Sequence, residues 1–283
     1  MKICVTGASG FLGQYVIAEL QKHDCSITAT YNKSNLQALE VINQDKTQWK
    51  QLDLYELPEE IFSYLNKPDI LIHLAWSGLP NYRSNHHFEN ELPPQYKFLK
   101  TMVEQGLDSM LVVGTCFEYG MQSGPLSEEL ETKPDNPYGF AKDSLRKQLE
   151  FLKREKTFKL IWSRLFYMYG EGQADSSLYS QFIKAVENKD EIFNMSGGEQ
   201  LRDFLPVEDI AKNISQLAFS KMDAGIVNVC SGIPISVRSL VESWKEQFGS
   251  SIKLNLGFYP YPDYEPMAFW GDAKKINKIT ETA

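Results

Sequence analysis

Hydrophobic residues in the first half of the chain fall into short unbroken runs, separated by stretches where apolar residues recur at helical spacing. The runs KICVTG (2–7), SITATY (26–31), WKQLDL (49–54), DILIHLAW (69–76), SMLVVGT (109–115) and FKLIWSRLF (158–166) predict strands. The stretches 11–22, 35–44, 56–66, 91–105 and 138–154 predict helices. Strands that stay apolar on both faces and alternate with helices imply an α/β protein whose doubly wound parallel sheet is covered on both sides. After about residue 170 the pattern loosens, and the tail GFYPYPDYEPMAFWGDAKKINKI is rich in Pro and Tyr. Residues 1–165, with about 206–232 returning to the sheet, form the expected main domain. Residues 166–205 and 233–283 form the expected smaller C-terminal lobe.

The first helix is preceded by a glycine turn, Gly7-Ala8-Ser9-Gly10-Phe11-Leu12-Gly13. A turn of this kind between an N-terminal strand and a helix is the context of a Rossmann dinucleotide site. Gly7 permits the tight turn, Gly10 lets backbone approach a pyrophosphate, and Gly13 lets helix and strand pack closely. The helix N-terminus offers N–H donors and a positive dipole end to the phosphates. The spacing is GxxGxxG rather than GxGxxG. Gly7, Ser9, Gly10, Phe11, Leu12 and Gly13 are therefore candidate cofactor-binding residues. An acid at the end of the second strand would hold the ribose 2′-OH of NAD. The sequence there is Thr30-Tyr31-Asn32-Lys33-Ser34, with no carboxylate. Lys33 and Ser34 can hold a 2′-phosphate instead, so NADP(H) is the expected cofactor, with NAD(H) left open.

DNPYGFAKDSL reads as a helix start, with Asn136 as cap and Pro137 in the first turn. Tyr138 and Lys142 then share one helix face. An ammonium beside a phenol favours the phenolate and makes tyrosine a usable proton donor or acceptor. Tyr96 and Lys100 have the same spacing. Only the Tyr138 pair follows a strand ending in a hydroxyl, Thr115, at the sheet edge where α/β proteins bind ligands. Thr115, Tyr138 and Lys142 are the candidate catalytic set.

The chain has 283 residues, 42% hydrophobic and 23% charged, with a formal net charge of −8. That charge argues against nucleic acid as a partner. No apolar run approaches the roughly 18 residues needed to span a bilayer, and no signal-peptide pattern precedes the first strand. Cys4, Cys25, Cys116 and Cys230 are scattered without a CxxC pair, so no structural metal or disulfide framework is expected. These features suggest a cytoplasmic enzyme with reduced thiols.

The glycine turn, Thr115, Tyr138 and Lys142 together resemble the extended short-chain dehydrogenase/reductase superfamily, in particular its nucleotide-sugar epimerase/dehydratase branch, over nearly the whole chain. The resemblance implies that Asp53 and Leu54 of QLDL lie at the adenine and that Leu74, Ala75 and Trp76 of HLAW lie along the cofactor. It implies that Arg202 of LRDFLPVEDIA meets the phosphates of a sugar nucleotide, in keeping with the affinity of arginine for phosphate. Tyr167 stands where the family usually has Asn. Cys116-Phe117 stand where the dehydratases have Asp-Glu, which argues against dehydration. GTCFEYG is most similar to the 4-ketoreductases of nucleotide-linked 6-deoxysugars, and Cys116, Phe117, Glu118, Tyr167 and Arg202 are candidate substrate contacts.

The resemblance implies NADPH-dependent reduction of a nucleotide-linked 4-keto-6-deoxyhexose, with Tyr138 and Lys142 also among the cofactor-binding residues and Lys142 on the nicotinamide ribose. Alternatives are a 4-epimerase with tightly bound NAD, and a variant that also epimerises at C3/C5 with Cys116 as base. A non-catalytic NADP-binding regulator is a further alternative. His86 and His87 read as solvated loop residues. The expected partner is a nucleotide-sugar substrate, and a homodimer is held open.

Overall fold

The computed structural model describes residues 1–32, 47–220, 222–261, 263 and 265–281. The expected helix at 35–44 lies outside the described residues, as do Lys33 and Ser34. β1 (Lys2–Thr6), β2 (Ser26–Tyr31), β3 (Thr47–Gln51), β4 (Ile70–His73) and β5 (Ser109–Thr115) join the later strands Lys159–Leu165 and Gly225–Val229 in one sheet. Its order is β3-β2-β1-β4-β5, then Lys159–Leu165, then Gly225–Val229. Every pairing is parallel. Alternate strand residues feed opposite faces: Ile3 and Val5 pack into one core, Cys4 into the other.

One face is covered by α1 (Phe11–Leu20), with Val16, Ile17 and Leu20 buried. The other carries α2 (Ile61–Tyr64), α3 (Leu92–Glu104) and α4 (Pro137–Glu155), through residues such as Phe98, Leu99, Leu145 and Leu149. The expected helix at 56–66 shrinks to the single turn of α2. Pro58 lies in its first half, and Asn66 and Lys67 stand at φ 66° and 50°, which no helix accommodates. β3 begins and ends earlier than expected, with Gln51 opposite Tyr31, the last residue of β2. Asp53 therefore lies in the loop beyond the sheet edge.

The lobe has its own core, built from Phe182 and Ala185 of α5 (Leu178–Glu187) with Phe193, Met195, Leu240, Val241 and Trp244. α6 (Val207–Phe219) returns the chain to the sheet and packs against α1. α7 (Val237–Gln247) supplies Leu240, Val241 and Trp244 to the lobe. α8 (Lys274–Thr280) comes last and buries Ile276 and Ile279 in the sheet-side core beside Val227 and Val229. Among the described residues no helix is long and apolar enough to cross a membrane. β1 has β2 on one side and β4 on the other, so the strand order reverses there. A crevice at the carboxyl ends of β1 and β4 is where such sheets bind ligands.

Candidate active site

The glycine turn follows β1 at that crevice. Gly7 has φ +71°, and a Cβ on it would lie 2.7 Å from the Ala75 amide nitrogen, so the turn and the end of β4 touch backbone to backbone. β4 ends at His73, the Leu74 amide still donates to the Thr6 carbonyl at 3.1 Å, and Ala75-Trp76 runs on as an irregular edge. A Cβ on Gly13 would lie 2.3 Å from the Gly7 carbonyl oxygen, so only glycine lets α1 close on the turn. No side chain caps the start of α1 at Gly10. The bare turn and the helix N-terminus fit a dinucleotide pyrophosphate. Phe11 packs edge-on to Tyr15, whose hydroxyl donates to the Glu171 carbonyl of the lobe at 2.9 Å. Asp53 is exposed and accepts from the Tyr55 amide at 2.9 Å, while Leu54 packs at the rim of the core beneath it.

Thr115 ends β5 and caps the short turn Cys116–Tyr119. Asn136 caps α4 by accepting from the Gly139 amide at 2.9 Å. A Cβ on Gly139 would meet the Phe117 carbonyl oxygen at 2.6 Å, so this glycine lets α4 press onto the turn. Tyr138 is thereby brought to Thr115. Its ring is 7% exposed, with centroids of His87 at 5.2 Å, Tyr82 at 5.6 Å, Trp76 at 6.0 Å and Phe117 at 6.4 Å. Burial pushes the phenol above its ordinary pKa, reinforced by Tyr82, Glu118 and Cys116, and a hydrogen bond with the Thr115 hydroxyl pulls the other way. Lys142 is 1% exposed. Its Nζ donates to the Val113 carbonyl at 2.9 Å and lies 4.0 Å over the Trp76 ring and 5.9 Å from the Tyr138 centroid. Burial pulls the ammonium down to about 7, against the opposing pull of Glu118 and Glu91. The expectation that Lys142 lowers the Tyr138 pKa is thus corrected for this arrangement: the ammonium faces Trp76 and Val113, and burial dominates the phenol.

Tyr96 is a partly buried packing residue of α3, and Lys100 pairs with Glu104 at 3.7 Å. That second Tyr–Lys pair stays apart from Thr115.

Glu118 needs a correction. Its side chain is fully buried beneath the site, where Oε1 accepts from the Thr115 amide at 2.9 Å and from Trp162 Nε1 at 2.9 Å. Oε2 accepts from Arg164 Nε at 2.7 Å. With its oxygens held by protein donors it supports the Thr115 turn and has no face toward substrate. The spacing Thr115-x-x-Glu118 is that of a capping box, a signal readable in the sequence. Cys116 is 5% exposed, and burial raises its thiol pKa, with Glu265 adding to the effect; a neutral thiol is no base. Phe117 is half-buried with its ring 4.9 Å from Tyr82, a position that can pack on a substrate.

Arg202 is 2% exposed, with its guanidinium carbon over the Phe269 ring, 4.5 Å from the centroid. Its Nη2 and Nε donate to Glu265 Oε2 at 2.9 and 3.3 Å. Tyr167 donates to the other oxygen, Oε1, at 2.6 Å. Glu265 lies 63 residues from Arg202, and no local pattern announces it.

A second set that the sequence reading passed over stands behind β4. Thr6 donates to His73 Nδ1 at 2.7 Å, His73 Nε2 donates to Gln95 Oε1 at 2.7 Å, and Gln95 Nε2 donates to Glu91 Oε2 at 3.0 Å. Glu91 also accepts from Tyr55 at 2.6 Å and from the Ser77 amide and hydroxyl. His87, expected in solvent, is buried: its Nδ1 accepts from Trp76 Nε1 at 3.1 Å and its Nε2 donates to the Asn81 carbonyl at 2.9 Å. His86 stays at the surface, near Ser77.

A parallel sheet with a glycine turn at its switch point and a Thr–Tyr–Lys set at the end of β5 defines an enzyme of the short-chain dehydrogenase/reductase type. A profile of the NAD dependent epimerase/dehydratase family matches residues 3–230, and the chain belongs to that family. The chain is 32% identical over 280 residues to dTDP-6-deoxy-L-talose 4-dehydrogenase (NAD(+)) of Aggregatibacter actinomycetemcomitans, covering 96% of this chain and 99% of that one. It is 23% identical to dTDP-4-dehydro-6-deoxyglucose reductase of Escherichia coli, over 90% of this chain and 84% of the other. UDP-N-acetylglucosamine 4-epimerase from Methanobrevibacter ruminantium M1 shares the fold, with a TM-score of 0.86 at 24% identity, over 99% of this chain and 91% of that one.

Proposed function

We propose that the chain reduces the C4 ketone of a nucleotide-linked 4-keto-6-deoxyhexose to the alcohol, using a reduced nicotinamide cofactor. The observation that carries the reading is Tyr138 buried at the start of α4, where Gly139 presses onto the turn that Thr115 caps, with Lys142 one turn further along the helix. It is supported by similarity along almost the whole chain to a 6-deoxysugar 4-dehydrogenase, whose named chemistry is the same carbonyl–alcohol interconversion.

The cofactor, when bound, supplies the hydride. The turn Gly7–Gly13 and the start of α1 would hold its pyrophosphate, Asp53 and Leu54 its adenine, and Leu74, Ala75 and Trp76 its nicotinamide half. Tyr138 Oη gives its proton to the C4 oxygen, and its raised pKa keeps that proton in place until negative charge develops. The Thr115 hydroxyl donates to the same oxygen, a donor fixed in advance by the Glu118 capping box. The aromatic wall of Tyr82, His87, Trp76 and Phe117 excludes water around Tyr138. Arg202 would meet the diphosphate and Tyr167 the sugar from the lobe, each in exchange for its hydrogen bond to Glu265.

NADP(H) is the preferred cofactor on the missing acid after β2. The relative named for NAD(+) supports the competing choice of NAD(H). Fluorescence titration of both reduced cofactors separates the two. The function is tested by following cofactor oxidation with dTDP-, GDP-, CDP- and UDP-linked 4-keto-6-deoxyhexoses. Turnover of at least one is expected. Absence of turnover on all four, in protein that binds cofactor, refutes the reading, and co-purified NAD with C4 inversion would replace it by the epimerase.

A further inference from the structure

Arg202 is organised from three sides. Phe269 lies beneath the guanidinium, and Nη1 donates to the carbonyls of Leu201 at 2.9 Å and Met267 at 3.3 Å. These contacts hold the plane of the guanidinium without help from any acid. The remaining edge, Nε and Nη2, is the edge that meets a carboxylate or a phosphate in a two-pronged contact. In the structure that edge is taken by Glu265.

Glu265 reaches Arg202 from a surface segment. Its neighbours in that segment include Phe258, Tyr259 and Met267, 57%, 50% and 46% exposed. The Glu265 side chain itself is 11% exposed, so its carboxylate turns inward.

We propose that Glu265 is a specificity-determining residue of the sugar-nucleotide site: its carboxylate occupies the Arg202 fork as an internal stand-in for phosphate, and the diphosphate of the substrate must take the fork from it. This rests on the reading of Arg202 as the phosphate-binding arginine. With Nη1 held by the carbonyls of Leu201 and Met267, Nε and Nη2 are the edge left for an anion, so a phosphate that takes this edge displaces Glu265 from it. The apparent affinity for a diphosphate is then reduced by the fraction of molecules whose fork is free. Tyr167, hydrogen-bonded to the other oxygen, stabilises the occupied state. A carboxylate gate of this kind favours ligands that bring a full diphosphate over singly charged sugars.

The test is calorimetric titration of UDP and dTDP into the full-length wild type, E265Q, Y167F and R202Q. Freeing the fork should tighten diphosphate binding roughly tenfold or more in E265Q. Y167F should shift binding in the same direction by a smaller factor, and R202Q should lose it. E265Q should also melt earlier than wild type alone and gain more from saturating dTDP, because the ligand replaces the missing counter-charge. Folded E265Q that binds dTDP no tighter than wild type overturns the proposal. So does a variant that binds dTDP unchanged but a nucleotide sugar more weakly, which would place Glu265 on the sugar. If E265Q does not fold, unchanged binding in Y167F overturns it. Wild type that reduces a nucleotide sugar while E265Q shows no gain fails this proposal alone, whereas wild type and E265Q that both ignore diphosphates fail the Arg202 reading with it.

Discussion

His73 offers a quantitative check on the buried relay. It is fully buried, with Thr6 Oγ1 at Nδ1 and Gln95 Oε1 at Nε2, so its charged form would have to exist away from water. Burial lowers its pKa from 6.5 to about 3, with the Lys142 charge acting in the same direction and Gln95 and Glu91 opposing. A histidine whose folded pKa lies below its unfolded value takes up its proton more readily when unfolded. Its contribution to stability is therefore complete above the unfolded value and is lost as pH falls toward the folded one. Each pH unit within that window removes up to about 1.4 kcal/mol. From about pH 7.5 to about pH 4 the loss due to this one residue sums to about 3 kcal/mol, a large share of the roughly 5–15 kcal/mol that holds a domain together. The perturbation is His73→Gln, which keeps a polar side chain and removes the titration. The assay is urea unfolding of both proteins at half-unit pH steps. The variant is expected to be less stable near neutrality, with a shallower loss toward acid, so that the two curves converge. Parallel curves across the window would show that His73 does not titrate as its surroundings require.

Tyr138→Phe should lower kcat by about 10²–10⁴-fold while leaving cofactor binding near wild type, and Tyr96→Phe should change neither; a fully active Tyr138→Phe enzyme refutes the proton-donor role. Glu118→Gln should cost about 3–5 kcal/mol in chemical unfolding, because Arg164 stays buried without its carboxylate, and a cost below about 1 kcal/mol would contradict the support role. Gly13→Ala should lose about 1–3 kcal/mol of stability and weaken cofactor binding, since the methyl meets the Gly7 carbonyl; unchanged binding of NADPH and NADH would remove the turn from the cofactor site. Lys142 should lose its proton as pH rises through about 7 in the cofactor-free protein, so cofactor affinity measured by fluorescence should fall on the alkaline side of that value; a flat profile would show that its charge does not contribute.

Features governed by local chemistry were legible in the sequence. β2 and β5 occupy the expected residues because continuous apolar runs bounded by polar residues leave little freedom in a parallel sheet. The turn Gly7–Gly13 could be read because Gly7 and Gly13 answer close backbone contacts, with the end of β4 and with the turn itself. α4 could be read because Asn136 and Pro137 mark its start. The contacts that the sequence did not announce depend on partners that only the fold brings together. Glu118 meets Trp162 and Arg164 only after the sheet has formed, and Arg202 meets Glu265 only through the lobe. His87 looked like a solvated loop residue, yet Trp76 draws it inward. Spacing alone could not separate Tyr96 from Tyr138. The strand end ahead of α4 could, because it supplies Thr115.

The packing of α1 against α6 also bears on how the protein is made. Val16, Ile17 and Leu20 share a core with Ile210, Ile214 and Leu217, yet α1 ends at Leu20 and α6 starts at Val207. At about 5–20 residues per second on the ribosome, the apolar face of α1 waits on the order of ten to forty seconds for its cover. Through that interval the nascent chain presents a bare greasy surface beside an unfinished cofactor cleft. Arrested chains that stop short of α6 are therefore expected to be cut readily by protease and held by chaperones, and chains that have cleared the exit tunnel beyond α8 to resist both.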